Sequence, residues 1–238
     1  MKSIFAASAA AIAFAASSSF ANVLINEIQP NPAGSDPSQQ TVELLGEANT
    51  EFSVVLLSIE SDNTSSKGTV DRLSTLSGNF DANGIFTADI TDLENPSNTL
   101  ILLDAFTGSI GDDLDTDNDG TIDVLTDFGN VLDAVGIIDN PGDTNNFATQ
   151  FGGTELGFIG GEPILIFREG NTQEWFSVDF SEDIYDALGN LVTDTFAAGS
   201  GAPTFGLVNP IQTAAPVPVP AAALLFAPAA LLLRRRAR

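Results

Sequence analysis

Residues 113–123, Asp113-Leu114-Asp115-Thr116-Asp117-Asn118-Asp119-Gly120-Thr121-Ile122-Asp123, place carboxylates at alternate positions in a segment rich in turn formers. With Asp115 as the first ligand position, Asp117 is the third, Asp119 the fifth, Gly120 the sixth, Thr121 the seventh and Asp123 the ninth. Calcium takes six to eight oxygens. A loop of this spacing offers carboxylates at the odd positions, a backbone carbonyl at the seventh and a Gly that permits the sharp turn at the sixth. The candidate ligands are therefore Asp115, Asp117, Asp119, Asp123 and the Thr121 carbonyl, with Asp112, Asp113 or Asp127 left to complete the shell. Position twelve, where tight sites carry a bidentate Glu, is Thr126, so binding is expected to be weak, at about 10⁻⁴–10⁻³ M. Acids packed this closely repel one another unless a cation neutralises them. The alternative is a solvated acidic turn between strands.

The elements that must hold such a loop read as strands. Short apolar or alternating runs rich in Val, Ile, Phe and Thr cover 23–28, 41–45, 52–59, 84–90, 99–103, 131–138, 156–159, 163–167 and 175–180. Turn signals separate them, among them Asn31-Pro32, Asn83-Gly84, Asn95-Pro96, Asn140-Pro141-Gly142 and Gly189-Asn190. No stretch keeps a 3.6-residue period for three turns. Many short strands at fairly regular spacing predict an all-β, antiparallel β-sandwich, and 17 Phe residues can fill its core. The expected division is a body at 22–196, a linker at 197–216 rich in Ala, Pro, Gly and Thr, and distinct segments at each end.

Composition narrows the chemistry. The 238 residues contain no Cys and no His, which removes disulfides, His- or Cys-based zinc sites, Cys nucleophiles and His-based triads. Any metal must be held by oxygen, which points to calcium or magnesium. Acids number 32 against 8 basic residues, and five of the basic residues lie in the terminal segments. The body between them has only Lys67, Arg72 and Arg168 and carries a net −29. Such a surface repels nucleic acid and anionic lipid and attracts cations. Most of these acids serve solubility. The clusters at 139–143 and 179–183 read as solvated turns. Trp175 and Tyr185 are the only Trp and Tyr, and Trp175, in an apolar run, reads as core rather than as a sugar platform.

The ends read as addresses. Residues 1–21 have Lys2, a small apolar run at 4–16 and Ser19-Phe20-Ala21, which puts small residues at −3 and −1 of a cut after Ala21. This is the order of a helical signal peptide removed by signal peptidase, the alternative being a buried N-terminal helix. At the other end Val217-Pro218-Val219-Pro220 precedes an apolar run at 221–233 and the cluster Arg234-Arg235-Arg236-Ala237-Arg238. The run is short for a permanent spanning helix, and Pro228 interrupts it, which suits a transient anchor with its arginines on the cytoplasmic side. Pro motif, short hydrophobic helix and Arg cluster together resemble the PEP-CTERM sorting signal of Gram-negative bacteria. Val219 stands where the commonest form has Glu, as in the Val-Pro-Leu-Pro variants. The resemblance implies processing at Val217, Pro218, Val219 and Pro220 by an exosortase, passage through the inner membrane, then release or attachment at the cell surface. It also implies an association with extracellular polysaccharide and biofilm. A plain C-terminal tail anchor is the alternative.

A second resemblance runs through the body. Val23-Leu24-Ile25-Asn26-Glu27-Ile28-Gln29-Pro30-Asn31-Pro32, followed by Thr41-Val42-Glu43-Leu44, resembles the opening of lamin-tail-like domains. The run at 100–103, the acidic loop, and Val131-Leu132-Asp133-Ala134-Val135 are similar to secreted bacterial versions. This implies an immunoglobulin-like sandwich used for binding or display. Glu27 and Glu43 read as strand residues paired across the sheet or with a backbone donor. The acidic loop is similar to those of secreted calcium-binding repeats. The leading expectation is a non-enzymatic surface or matrix protein with a structural calcium ion. The alternatives are a hydrolase using Asp and Glu, with or without the metal, and a carbohydrate-binding module.

Overall fold

A computed structural model describes residues 23–213, apart from 35–36, 94–96 and 144–146. Residues 1–21, read above as a signal peptide ending at Ala21, and the C-terminal segment with Val217, Pro218, Val219 and Pro220 lie outside the described residues. Within them no helix is long and apolar enough to cross a membrane.

Among the described residues, eleven strands form two sheets. In chain order they are β1 (Leu24–Ile28), β2 (Gln39–Leu45), β3 (Glu51–Glu60), β4 (Val70–Asn79), β5 (Ile85–Thr91), β6 (Asn98–Leu103), β7 (Val131–Ile137), β8 (Thr154–Glu155), β9 (Leu165–Arg168), β10 (Trp175–Val178) and β11 (Ile184–Asp186). The six-stranded sheet has the order β11-β10-β9-β1-β2-β5, and the five-stranded sheet β4-β3-β6-β7-β8. This is the β-sandwich that the strand pattern predicts. All pairs are antiparallel except β7 with β8.

The structure corrects three details. Residues 156–159 are not a strand; the pairing there is the two-residue β8 just before them, laid parallel on β7 after a one-turn helix, α1 (Phe147–Gln150). The antiparallel expectation therefore fails at this one edge. β4 was not expected, because only Val70 and Leu76 of its ten residues are buried. It forms because β3 offers a ladder from Glu51↔Asn79 to Ile59↔Val70. β11 is likewise too short to carry a pattern of its own.

Alternation along the central strands shows where the cores lie. On β6, Leu100 and Leu102 join the core shared by both sheets, with Ile25, Val42, Leu44, Leu56, Val135, Ile166 and Trp175. Ile101 and Leu103 point the other way, into a second cluster with Leu57, Phe147, Leu114 and Ile122. β6 is thus buried on both faces, which is why its sequence is a continuous apolar run. On β9, Ile166 faces the shared core, while Leu165 and Phe167 face a third cluster with Phe176, Val178, Ile184 and Phe196. The outer face of each sheet is therefore covered: one by the segment between β6 and β7 together with α1, the other by the chain after β11.

That last covering is the largest departure from the sequence reading. Residues 197–213, expected as a linker, lie against the six-stranded sheet. Glu27 and Glu43, opposite each other on β1 and β2, receive them. Glu27 accepts the amide and the hydroxyl of Thr204 at 2.6 and 2.7 Å, and Glu43 accepts the Gly206 amide and the Asn26 side-chain amide, both at 2.6 Å. Asn209 donates to the carbonyls of Asn26 and Arg168, and the Gln212 amide to Glu169. Both glutamates have no exposed surface and find the backbone donors expected of structural residues.

Candidate metal site

The acidic loop hangs from the second apolar cluster. Leu114 and Ile122 are buried against β3, β6 and α1, and Gln150 of α1 grips Ile122 by both its amide and its carbonyl. Thr69 and Asp113 form an isolated antiparallel bridge that ties the loop to the start of β4. Between these anchors the chain is tightly wound. Asp115 has no exposed surface, and its two carboxylate oxygens accept the amides of Asp119 (3.0 Å) and Gly120 (2.9 Å). Gly120 sits at φ +89°, a conformation that favours a residue without Cβ, and Asn118 at φ +56°. Asp123 closes the loop by accepting the Thr116 amide and hydroxyl at 3.0 and 2.8 Å.

Asp115, Asp117 and Asp123 each turn one oxygen toward a common centre, all within 4.8 Å of one another. Oxygens bound to one calcium at 2.3–2.6 Å lie at most about 5 Å apart, so the three fit a single ion. Asp119 is turned instead to the Thr121 amide, at 2.8 Å. Thr121 remains exposed at the loop tip. Of the residues expected to complete the shell, Asp112 accepts the Ser109 amide, Asp113 the Asp115 amide and Asp127 the Thr107 hydroxyl. The site thus has three converging carboxylates in a loop whose backbone is already bent around them.

Two residues of the site have no signal in the local spacing. Gly68, in the β3–β4 turn at φ +83°, packs so closely that a Cβ there would collide with Asp115 Cβ. Lys67 beside it reaches into the loop: its Nζ donates to the Asn118 carbonyl at 2.7 Å and lies 3.9 Å from Asp115 Oδ2. The one clue in the sequence is scarcity, since Lys67 is one of three basic residues in the body.

The other acidic clusters hold turns. Asp143 accepts the Asn63 amide and the Ser97 hydroxyl, and Asp139 shares Ser97. Asp179 accepts the amides of Ser181 and Asp183 and the Tyr185 hydroxyl. Trp175 is buried, as expected of a core residue, with Arg168 over its ring at 4.3 Å. It offers no open face for a sugar to stack on.

No family model matches the chain, and no curated protein and no solved structure matches it.

Proposed function

We propose that this chain is an exported, non-enzymatic protein of the cell surface or extracellular matrix whose sandwich serves binding or display, with calcium ordering the acidic loop. The observation that carries the calcium part is the convergence of Asp115, Asp117 and Asp123 within 4.8 Å in a loop pinned to the sheet by Leu114 and Ile122. An ion there acts on the fold: it neutralises the carboxylates and so secures the lid over the apolar outer face of the five-stranded sheet. A non-enzymatic reading is favoured by the two carboxyls that burial pushes furthest up. Glu27 and Glu155, both at about 7, are each taken up by donors of the protein itself, Thr204 for one and the Ala148 and Thr149 amides for the other. Export, exosortase processing, transient residence in the inner membrane and an extracellular polysaccharide partner rest on the terminal segments and the PEP-CTERM resemblance.

At 10 mM calcium, a site with the expected affinity stabilises the fold by about 1.5–3 kcal/mol. The melting temperature should therefore rise by about 3–10 °C over that in chelator. Asp117→Ala should abolish the rise. Equal melting temperatures in calcium and in chelator would remove calcium from this reading. The address is tested in a Gram-negative host that carries an exosortase. Deletion of residues 217–238 is expected to abolish a membrane-bound precursor and release the chain to the periplasm or medium, and an unchanged distribution overturns the sorting assignment.

A further inference from the structure

Lys67 puts a cation where the calcium reading expects only oxygen. The residue is 8% exposed, and its ammonium is spent inside the loop, on the Asn118 carbonyl and beside Asp115. Asp115 is the most buried acid of the loop, and Lys67 Nζ is the positive charge placed next to it. The pairing is built in from the other side as well, since Gly68 lets the β3–β4 turn lie directly on Asp115. A buried carboxylate and a buried ammonium are each costly alone and tolerable together. We infer that Lys67 is the resident cation of the acidic loop: its ammonium neutralises Asp115 and holds the loop wound without a metal, and so sets how tightly the loop takes a divalent ion.

The two halves have separate consequences. The first is a property of the fold alone. The second rests on the calcium reading proposed above. A unit charge about 4 Å from a ligand oxygen opposes a second cation at the same carboxylate, so calcium binds only by weakening the Lys67–Asp115 contact. By linkage, removing the ammonium strengthens calcium binding while weakening the metal-free fold.

The test is Lys67→Met, which keeps the length of the stem and removes the charge, with Lys67→Arg as the charge-conserving control. Both are compared with the wild-type full chain by thermal melting in chelator and by calcium titration. Lys67→Met is expected to melt about 5–10 °C lower in chelator, to bind calcium on the order of tenfold more tightly, and to recover most of the deficit at 10 mM calcium. Lys67→Arg should stay close to wild type in calcium affinity. A Lys67→Met chain that folds only when calcium is added also supports the inference. If Lys67→Met melts with the wild type in chelator, the counter-ion role is overturned. If it melts lower but binds calcium no more tightly than a calcium-binding wild type, control of affinity is overturned. If neither chain binds calcium, the calcium reading falls, and a lower melting temperature for Lys67→Met in chelator still supports the resident cation. If the wild type binds and Lys67→Met matches it in both measurements, the inference fails and the calcium reading stands.

Discussion

Replacing Arg168 by Met is expected to cost about 3–5 kcal/mol and to lower the melting temperature by about 6–15 °C, more than any substitution in the acidic loop. Arg168 ends β9 in the six-stranded sheet, and Asp133 belongs to β7 in the other. Arg168 Nη2 donates to both oxygens of Asp133 at 2.7 and 2.8 Å, Nε to the Ile25 carbonyl and Nη1 to the Gln173 carbonyl. The guanidinium also covers the Trp175 ring. Asp133 in turn accepts the amides of Ile25 and Ala134. Burial pushes the Asp133 carboxyl up even though the Arg168 charge beside it pulls down. Without Arg168 that carboxylate keeps its two amide donors but stays buried with no charge to balance it. The deficit of Arg168→Met should therefore shrink in acid, where Asp133 takes a proton, and pairing the substitution with Asp133→Leu should recover part of it. A Tm within about 2 °C of wild type at neutral pH would show that the sheets do not depend on this clasp.

Acidification should stabilise the protein. Glu27 and Glu155 are pushed by burial from an ordinary 4.5 to about 7. Between those values the folded chain holds protons that the unfolded chain has released, so stability rises as pH falls. The contribution is fully present below about 4.5 and is lost as pH climbs through about 7. Each group is worth on the order of 2–3 kcal/mol across that window. Glu43 is also raised by burial and adds in the same direction. The opposite behaviour comes from Glu169, Asp186 and Asp81, whose hydrogen bonds hold them below the usual carboxylate range; their contribution is lost as the solution becomes more acid. Maximum stability is expected near pH 5. In Glu155→Gln the rise in melting temperature between pH 8 and pH 5 should be roughly halved. A melting temperature that climbs steadily from pH 5 to pH 8 contradicts the assignment.

Glu27 also shows where sequence reading stops. Its strand was legible, because Val23, Leu24, Ile25 and Ile28 cluster around it and a Pro-containing turn follows. Its partner was not, because Thr204 lies 177 residues away and contributes an amide and a hydroxyl, groups that carry no pattern. The segment after residue 196 looked like a linker for the same reason. It covers its sheet by hydrogen bonds to buried carboxylates more than by a run of apolar side chains, and composition cannot distinguish that from solvated chain. The acidic loop divides in the same way. The convergence of Asp115, Asp117 and Asp123 was readable from spacing, since a turning loop brings alternate residues to one side, but the turning of Asp119 to the Thr121 amide was not. Lys67 was not, being 51 residues from the carbonyl it binds. β6 stands at the legible extreme, since covering on both faces leaves a run of four large apolar residues. β4 stands at the other, a strand made by its neighbour's ladder.

All three basic residues of the body are spent on the molecule itself: Lys67 in the loop, Arg168 between the sheets, and Arg72 on Asp71 and the Asp92 carbonyl. What faces the solvent is therefore a skin of nearly one sign. Two such bodies repel one another, and at low ionic strength they do so over a Debye length of about 10 Å or more. In a concentrated solution, such molecules would space themselves as charged colloids do. The ionic strength of the surrounding fluid would set the range of that repulsion, and so how closely they approach.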